Sequence, residues 1–446
     1  AAVELFSTAI QLDNENPQAF LERAQVHFDS NEKNLASSDL NRYRHLSGNQ
    51  PETFFTLANV YTDWGELDKA LENYSIVLEA DSEWFWVYLE RAELLFMLGR
   101  NEEAKQDIEQ FVSSSSQFNE SSYALLEAAD LQLKWGLFNE AIQTYTVTTE
   151  KEPDLVNAYL GRGKAYLAIG NLEQANHDLD QFLDLNEFRL GWAYEERAHA
   201  YQDFSYFEQA IQNYTLAIDL LPENPHLYVD RGFAYTYMDE PDKALSDFNS
   251  AIALNELTSR AYTGRGKVYY SSGELPKSLL EYNRSLEIDP NDVFTIVNRG
   301  ISYYDLDQLD QAMDDFKQSI SLNNEYPWGY AYRGLIHEIR GNLDDAITDF
   351  SRAIELGIRD AWLYNNRGRA FYYTGMYEEA SKDLHIAIEQ NPFFDAPYQW
   401  RGLSYMNLGE HEAALQDIHQ YRELYLGEDK QFIDEWILEI QTLKGE

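Results

Sequence analysis

Apolar, small and polar positions recur along this chain with a period of 34 residues, most visibly at the small residues. Arg-Gly stands at Arg231, Arg265, Arg299, Arg333, Arg367 and Arg401, each step being 34 residues. Walking the frame backwards gives Arg197-Ala198, Arg162-Gly163, Glu127-Ala128, Arg91-Ala92, Leu57-Ala58 and Arg23-Ala24. One or two extra residues are absorbed near Ser113 to Ser116, Trp135 and Phe188. Twelve residues after each first small residue comes a second, from Ala36 and Ala70 to Ala380 and Ala414, with Ser278 in one repeat and Ala141 one place late. Two small residues on facing helices would let their backbones approach closely. Three residues after the first small slot sits a ring in most repeats, as at Tyr61, Tyr166, Tyr201, Tyr235, Tyr269, Tyr303, Phe371 and Tyr405. These read as core rings, and a period of this length is the mark of stacked helical hairpins.

Proline and glycine test the frame independently, because proline in a helix interior costs roughly 3 kcal/mol. All eleven prolines avoid interiors, falling between repeats or, at Pro241 and Pro276, where a second helix starts. Gly65, Gly99, Gly136, Gly170, Gly273, Gly341, Gly375 and Gly409 occupy the turn inside each repeat, where a positive φ is cheap only for glycine. Each repeat is therefore predicted to be a helix A, a tight turn, a helix B and a short loop. Ala2, Phe6 and Ala9 match helix B slots, so residues 1–16 read as helix B of an incomplete repeat. Residues 17–428 hold twelve repeats. Residues 429–446 read as an amphipathic capping helix opened by Asp429, with Phe432, Ile433, Trp436, Ile437, Ile440 and Leu443 on one face.

The stretch from Ala261 to Pro290, AYTGRGKVYYSSGELPKSLLEYNRSLEIDP, resembles the tetratricopeptide-repeat pattern W-x2-L-G-x2-Y…A-x3-F…P. The resemblance extends over essentially the whole chain. It implies an all-α, right-handed superhelical solenoid whose helix A residues line a binding groove. One departure is systematic: the family's leucine before the first small residue is usually arginine here.

Ten of twelve repeats carry that arginine, and nine of the ten carry an acid sixteen residues later. Among them are Arg231 with Asp247, Arg299 with Asp315, Arg333 with Asp349, Arg367 with Asp383 and Arg401 with Asp417. Where the slot is Leu57 the partner is Asn73, and where it is Glu127 the partner is Thr144, so the acid is absent when the arginine is. Arg197 with Asn213 is the exception. Matched charges at fixed spacing point to a structural ion pair joining helix A to helix B. A basic ladder for an anionic ligand would be neutralised by the same acids.

Charge narrows the functions open to such a fold. With 77 acids against 34 Lys and Arg, the net charge is -43, and the field repels phosphate backbones. Nucleic acid is not an expected partner; the charge is compatible with weak association of divalent cations, without a dedicated site. No apolar run approaches the roughly 18 residues of a membrane span. The absence of cysteine removes disulfides, thiolate metal sites and a cysteine nucleophile. No metal site, cofactor or catalytic motif is indicated. Gly161-Arg162-Gly163 and Gly264-Arg265-Gly266-Lys267 fall mid-helix rather than after a strand, so they are not phosphate loops. Asp305, Asp307 and Asp310 lack the glycine and terminal glutamate of a calcium loop. His27 and His337 fall in the ring slot and read as packed. The chain opens inside a repeat, so a preceding segment has been removed or left out, and the reading leans to an exported protein. Of the sequons at Asn73, Asn119, Asn213 and Asn283, Asn119 alone is expected to be exposed.

What remains is protein binding. Projected from the small slot, Phe233, Tyr237, Tyr270, Ile301 and Tyr304 should face the groove, followed by Leu335, Ile339, Tyr372, Tyr373, Leu403 and Met406. Contiguous exposed rings usually mark an interaction surface. Family members that grip a C-terminal carboxylate carry Lys two residues before the arginine slot, and no repeat here does. An extended or helical apolar segment is the better ligand. Trp192, Trp328 and Trp362, near the starts of helix A, read as packed rather than as sugar-stacking rings. The alternative is a structural homopolymer assembled end to end, with Ala2, Phe6 and Ala9 at one terminal face and Phe432, Trp436 and Leu438 at the other.

Overall fold

The computed structural model describes residues 2–80, 82–117, 122–427 and 430–445, and no strand occurs among them. Asn119 and Asp429 lie outside the described residues. A first helix, Ala2–Leu12, is followed by twelve helix pairs and a last helix, Gln431–Gly445, with two short 3-10 turns between pairs. Backbone contacts group the chain into two compact units, Ala1–Asn213 and Tyr214–Glu446. The first holds the opening helix, repeats one to five and helix A of repeat six (Leu190–Asp203). The second holds repeats seven to twelve and the last helix. In both, helix A packs most extensively on helix B of its own repeat, and helix B then packs on helix A of the next. Each unit is a helical solenoid.

Turn chemistry sets the hairpins. Gly65 has φ 69°, and the Glu66 N–H reaches back to the Tyr61 carbonyl at 2.8 Å, so the last carbonyls of helix A are satisfied before helix B begins. Asn31, Ser205, Asp239 and Asp307 hold the same left-handed conformation where glycine is missing. Proline opens several helices, including Pro225–Tyr237 and Pro327–Ile339, where its missing N–H leaves no bond unmade.

The small slots are fully buried, and the two of a repeat approach each other closely: a Cβ placed on Gly163 would stand 3.6 Å from the Ala175 carbonyl oxygen, and one on Gly368 3.3 Å from that of Ala380. A Cβ placed on Gly232 would stand 2.7 Å from the Phe248 ring, one on Gly300 2.6 Å from Phe316, and one on Gly334 2.7 Å from Phe350. The glycine thus also makes room for a large side chain sixteen residues later, which fills the space beside the close backbone approach. Tyr145, Phe248, Tyr282, Phe316 and Phe350 are completely buried and form the core. The expected core rings lie outside it. Of the eight, only Tyr201 is buried, while Tyr235, Phe371 and Tyr405 are half-buried with the slot arginine of their own repeat over the ring at 5.7 to 5.9 Å.

Repeat four also needs a one-residue correction. Leu137 N–H bonds the Gln132 carbonyl as Glu66 bonds Tyr61, and Tyr145 donates to Asp130 as Tyr74 donates to Asn59. The small slot is therefore Ala129, its arginine slot is Ala128 rather than Glu127, and nothing is inserted near Trp135. All extra residues of that repeat fall between Ala92 and Ala129.

Candidate functional site

Two surfaces collect the residues singled out by the sequence. One is the arginine ladder. The Arg231 Nε and Nη2 groups donate to the two Asp247 carboxylate oxygens at 2.8 Å each. The same two-pronged bond joins Arg299 to Asp315 at 2.9 and 2.6 Å, Arg333 to Asp349 at 2.8 and 2.7 Å, Arg367 to Asp383 at 2.6 and 2.8 Å, and Arg401 to Asp417 at 2.7 Å. The guanidiniums of Arg231, Arg299, Arg333 and Arg401 are held above their usual range. For Arg333 the Asp349 hydrogen bond is the largest influence; for Arg231 burial opposes the shift and Asp247 outweighs it. Arg197 does not use Asn213, which donates to the Gln209 carbonyl; it turns to Asp180 of the preceding helix B at 2.8 Å.

A third bond was missed in the sequence. Nη1 of Arg231 donates to Thr215 at 3.0 Å, Nη1 of Arg299 to Asn283 at 2.9 Å and Nη1 of Arg367 to Ser351 at 3.1 Å. Each acceptor stands sixteen residues before the arginine, on helix B of the preceding repeat. One arginine therefore ties three helices. A short polar residue at that register, as at Ser7, Ser75, Thr146 and Asn249, was the available signal. This use also explains why Asn283 is not a free sequon, and Asn73 and Asn213 are buried.

The other surface is the helix A row of the second unit. Tyr237, Ile339 and Tyr373 are exposed, at 56%, 55% and 56%. Two expectations fail: Leu335 and Leu403 are buried in the cores of repeats ten and twelve, because one turn of helix A is pinched between both neighbours. Phe233, Tyr270, Ile301, Tyr304, Tyr372 and Met406 are half-buried, with Phe233 edge-on to Phe248 at 5.3 Å. Cations lie over the rings between them: Lys267 is 4.8 Å from the Tyr237 centroid and Arg260 is 5.7 Å from Phe233. Tyr270 donates to Asp305 at 2.6 Å, and burial with that contact pushes its hydroxyl pKa up. Arg369 holds Glu338 with two bonds of 2.6 and 2.8 Å. Towards the end of the unit, Tyr372, Tyr373 and Trp400 form a cluster with centroids 5.3 to 5.5 Å apart. Trp400 and the similarly placed Tyr332 were missed because they sit two residues before the small slot, one turn outside the projected row.

Packing accounts for most of the remaining candidates. A Cβ placed on Gly161 would stand 2.4 Å from Tyr145 and one on Gly264 2.3 Å from Phe248, which explains the first glycine of both Gly-Arg-Gly runs. Asp310 pairs with Arg340 at 2.6 Å and Asp307 makes the turn. His27 is buried against Glu32 at 2.5 Å, and His337 is half-buried. Trp192 and Trp328 touch Phe182 and Tyr332 yet stay exposed, at 39% and 36%, whereas Trp362 is half-buried against Tyr332.

At the ends, the opening helix buries no side chain: Ala2, Leu5 and Leu12 are exposed, and Phe6 and Ala9 are half-buried. In the last helix Ile433 and Ile440 are fully buried on repeat twelve. Phe432 and Trp436 pack beside them around Tyr421, and Leu438 is 64% exposed. Of the proposed second terminal face, Phe432 and Trp436 are therefore half-buried by repeat twelve and Leu438 stays open.

The tetratricopeptide-repeat pattern matches residues 229–293 and 365–425, and a second form of the same repeat matches 295–326. Human tetratricopeptide repeat protein 13 is 33% identical over 109 residues, 23% of this chain and 13% of its own length. Hsp70-Hsp90 organizing protein 2 of Arabidopsis thaliana is 23% identical over 232 residues, 51% of this chain and 39% of its own. The chain thus spans well under half the length of these relatives. In the crystal structure of the APC/C hetero-tetramer Cut9-Hcn1, one chain aligns with a TM-score of 0.50 at 14% identity, covering 98% of this chain and 92% of that one, a likeness of fold.

Proposed function

Since the chain is a tetratricopeptide-repeat protein, we propose that it is a non-catalytic scaffold that holds a protein or peptide segment on the helix A row of its second unit. The observation that carries this reading is the exposed ring set around Tyr373, backed by Tyr372 and Trp400 and flanked by paired charges. Rings fixed by packing lose little freedom on binding, which is why they anchor interfaces. The name of the Arabidopsis relative describes an organizer of two other proteins, a role of the same kind. With no lysine two residues before the arginine slot, a clamp for a terminal carboxylate is disfavoured, and an extended or helical apolar segment is the better ligand.

Exchanging Tyr237 and Tyr373 together for alanine removes exposed rings without opening a core. Capture of a partner by the immobilised chain should fall about thirtyfold or more, the loss of about 2 kcal/mol expected of an anchor pair. Undiminished capture by a variant with unchanged helicity would sink the reading. A second reading, end-to-end self-association, rests on the exposure of Leu5, Leu12 and Leu438. Replacing these three by serine should then abolish any concentration-dependent growth in light scattering.

A further inference from the structure

Three successive repeats of the first unit open a cavity at the same place, beside the arginine slot. In repeat three, where Arg91 fills the slot, the cavity measures about 140 Å³ and is lined by Ser75, Arg91 and Asp107. In repeat two, where Leu57 stands instead, it is about 150 Å³, lined by Asn41, Leu57, Tyr61 and Asn73. In repeat four it is about 340 Å³. That repeat lacks three parts of the ladder at once: the arginine is Ala128, the ring beside it is Gln132 and the acid sixteen residues on is Thr144, while Glu109, two residues after Asp107 as Ser75 is after Asn73, stands at the backward acceptor position. Gln132, Thr144 and Val112 all line the cavity, together with Glu109, Glu140 and Val147. Its size is that of a small-ligand site.

The lining states what would fit. Val112 and Val147 offer an apolar wall, and Glu109 and Glu140 offer negative charge, with Lys105 already on Glu140. Gln132 is 3% exposed, and its Oε1 has no hydrogen-bond partner among the described residues. A buried acceptor left unpaired costs about 1–3 kcal/mol, which a donor entering the cavity would recover. The two glutamates repel an anion, and an apolar ligand would leave Gln132 unpaired.

We propose that the vacated arginine position of repeat four binds an alkylguanidinium, taking in trans the group that nine other repeats pair with an acid in cis. The aliphatic stem lies along Val112 and Val147, and the guanidinium donates to Gln132 Oε1, the Thr144 hydroxyl and Glu109. Arginine suits the site better than lysine, because its fan of N–H donors meets several separate acceptors at once. The site is independent of the helix A row of the second unit.

The test is calorimetric titration of the full chain with Nα-acetyl-arginine amide and, in parallel, with Nα-acetyl-lysine amide. One saturable site is expected, about tenfold weaker for the lysine compound. The variant Ala128→Arg with Thr144→Asp rebuilds the ladder in place and should abolish uptake. Gln132→Leu removes the unpaired acceptor, leaves the fold intact and should weaken uptake about tenfold. Tyr373→Ala should leave it unchanged, which separates this site from the proposed scaffold surface. Absence of saturable binding to the unaltered chain overturns the proposal. So does binding that survives the rebuilt ladder; where that double variant does not fold, unchanged affinity in Gln132→Leu overturns it instead.

Discussion

A guanidinium and a carboxylate taken together out of water lose most of their hydration, so a buried pair stabilises only when its geometry is good and its remaining donors are used. Seven of the slot arginines meet both conditions by bonding forward to an acid and backward to a short polar residue. Arg333 shows what happens when one condition is missing. The residue sixteen before it is Lys317, and no bond runs back from Arg333 to that helix. Exchanging Lys317 for serine should supply the missing acceptor and raise stability by about 1 kcal/mol in denaturant titration. Replacing Arg333 by methionine should instead lower stability by about 3 kcal/mol, since Asp349 is left buried without its partner. An unchanged melting temperature in the methionine variant would remove the pairing from the account of stability. The forward pairs were legible at this scale because charge covaried across repeats, as at Leu57 with Asn73. The backward bonds were not, because serine, threonine and asparagine do not advertise a common partner.

At the scale of elements, the turns decide where each helix stops. Asp239 and Asp307 hold φ of 57° and 58° at positions where most repeats use glycine. A side chain there costs about 1 kcal/mol, so Asp239→Gly should raise stability by about half of that or more, with thermal unfolding as the readout. A loss of stability would mean that the aspartate side chain offsets its own strain. The last helix, Gln431–Gly445, depends on charge as well as on Ile433 and Ile440. Arg422 donates to Asp434 and Lys444 to Glu412, and these bonds hold both carboxyls below their usual 3.8 and 4.5. A carboxyl whose folded-state value is depressed contributes stability that is complete above its ordinary value and is lost as pH falls through the depressed one. The last helix should therefore lose amide protection, taken relative to the intrinsic exchange rate at each pH, as pH drops below about 4.5, while the core of repeats eight to ten keeps it. An equal loss of protection in both regions would show that the ion pairs do not hold the helix.

Across the whole molecule, period and punctuation are what the sequence determined alone. Small residues every 34 positions, glycine or a substitute at each turn, and proline outside every interior admit only tandem helical hairpins, since any other fold would bury proline or break a helix. The arginine-acid register followed from the same repetition. Tertiary structure decided the rest, because it depends on which neighbours a side chain meets in three dimensions. Gly232 and Gly334 accommodate rings sixteen residues away, which spacing from the next small residue did not reveal. Leu335 and Leu403 lie on the projected groove face yet are buried, because the helices on either side close over that turn. Repeat four had two small residues in succession, so its register rested on which carbonyl the turn N–H groups reached. Only that register turned an apparently irregular repeat into one with an empty arginine position. A repeated pattern can name the element each residue belongs to, but the space left when one member departs from it is set by the packing of the others.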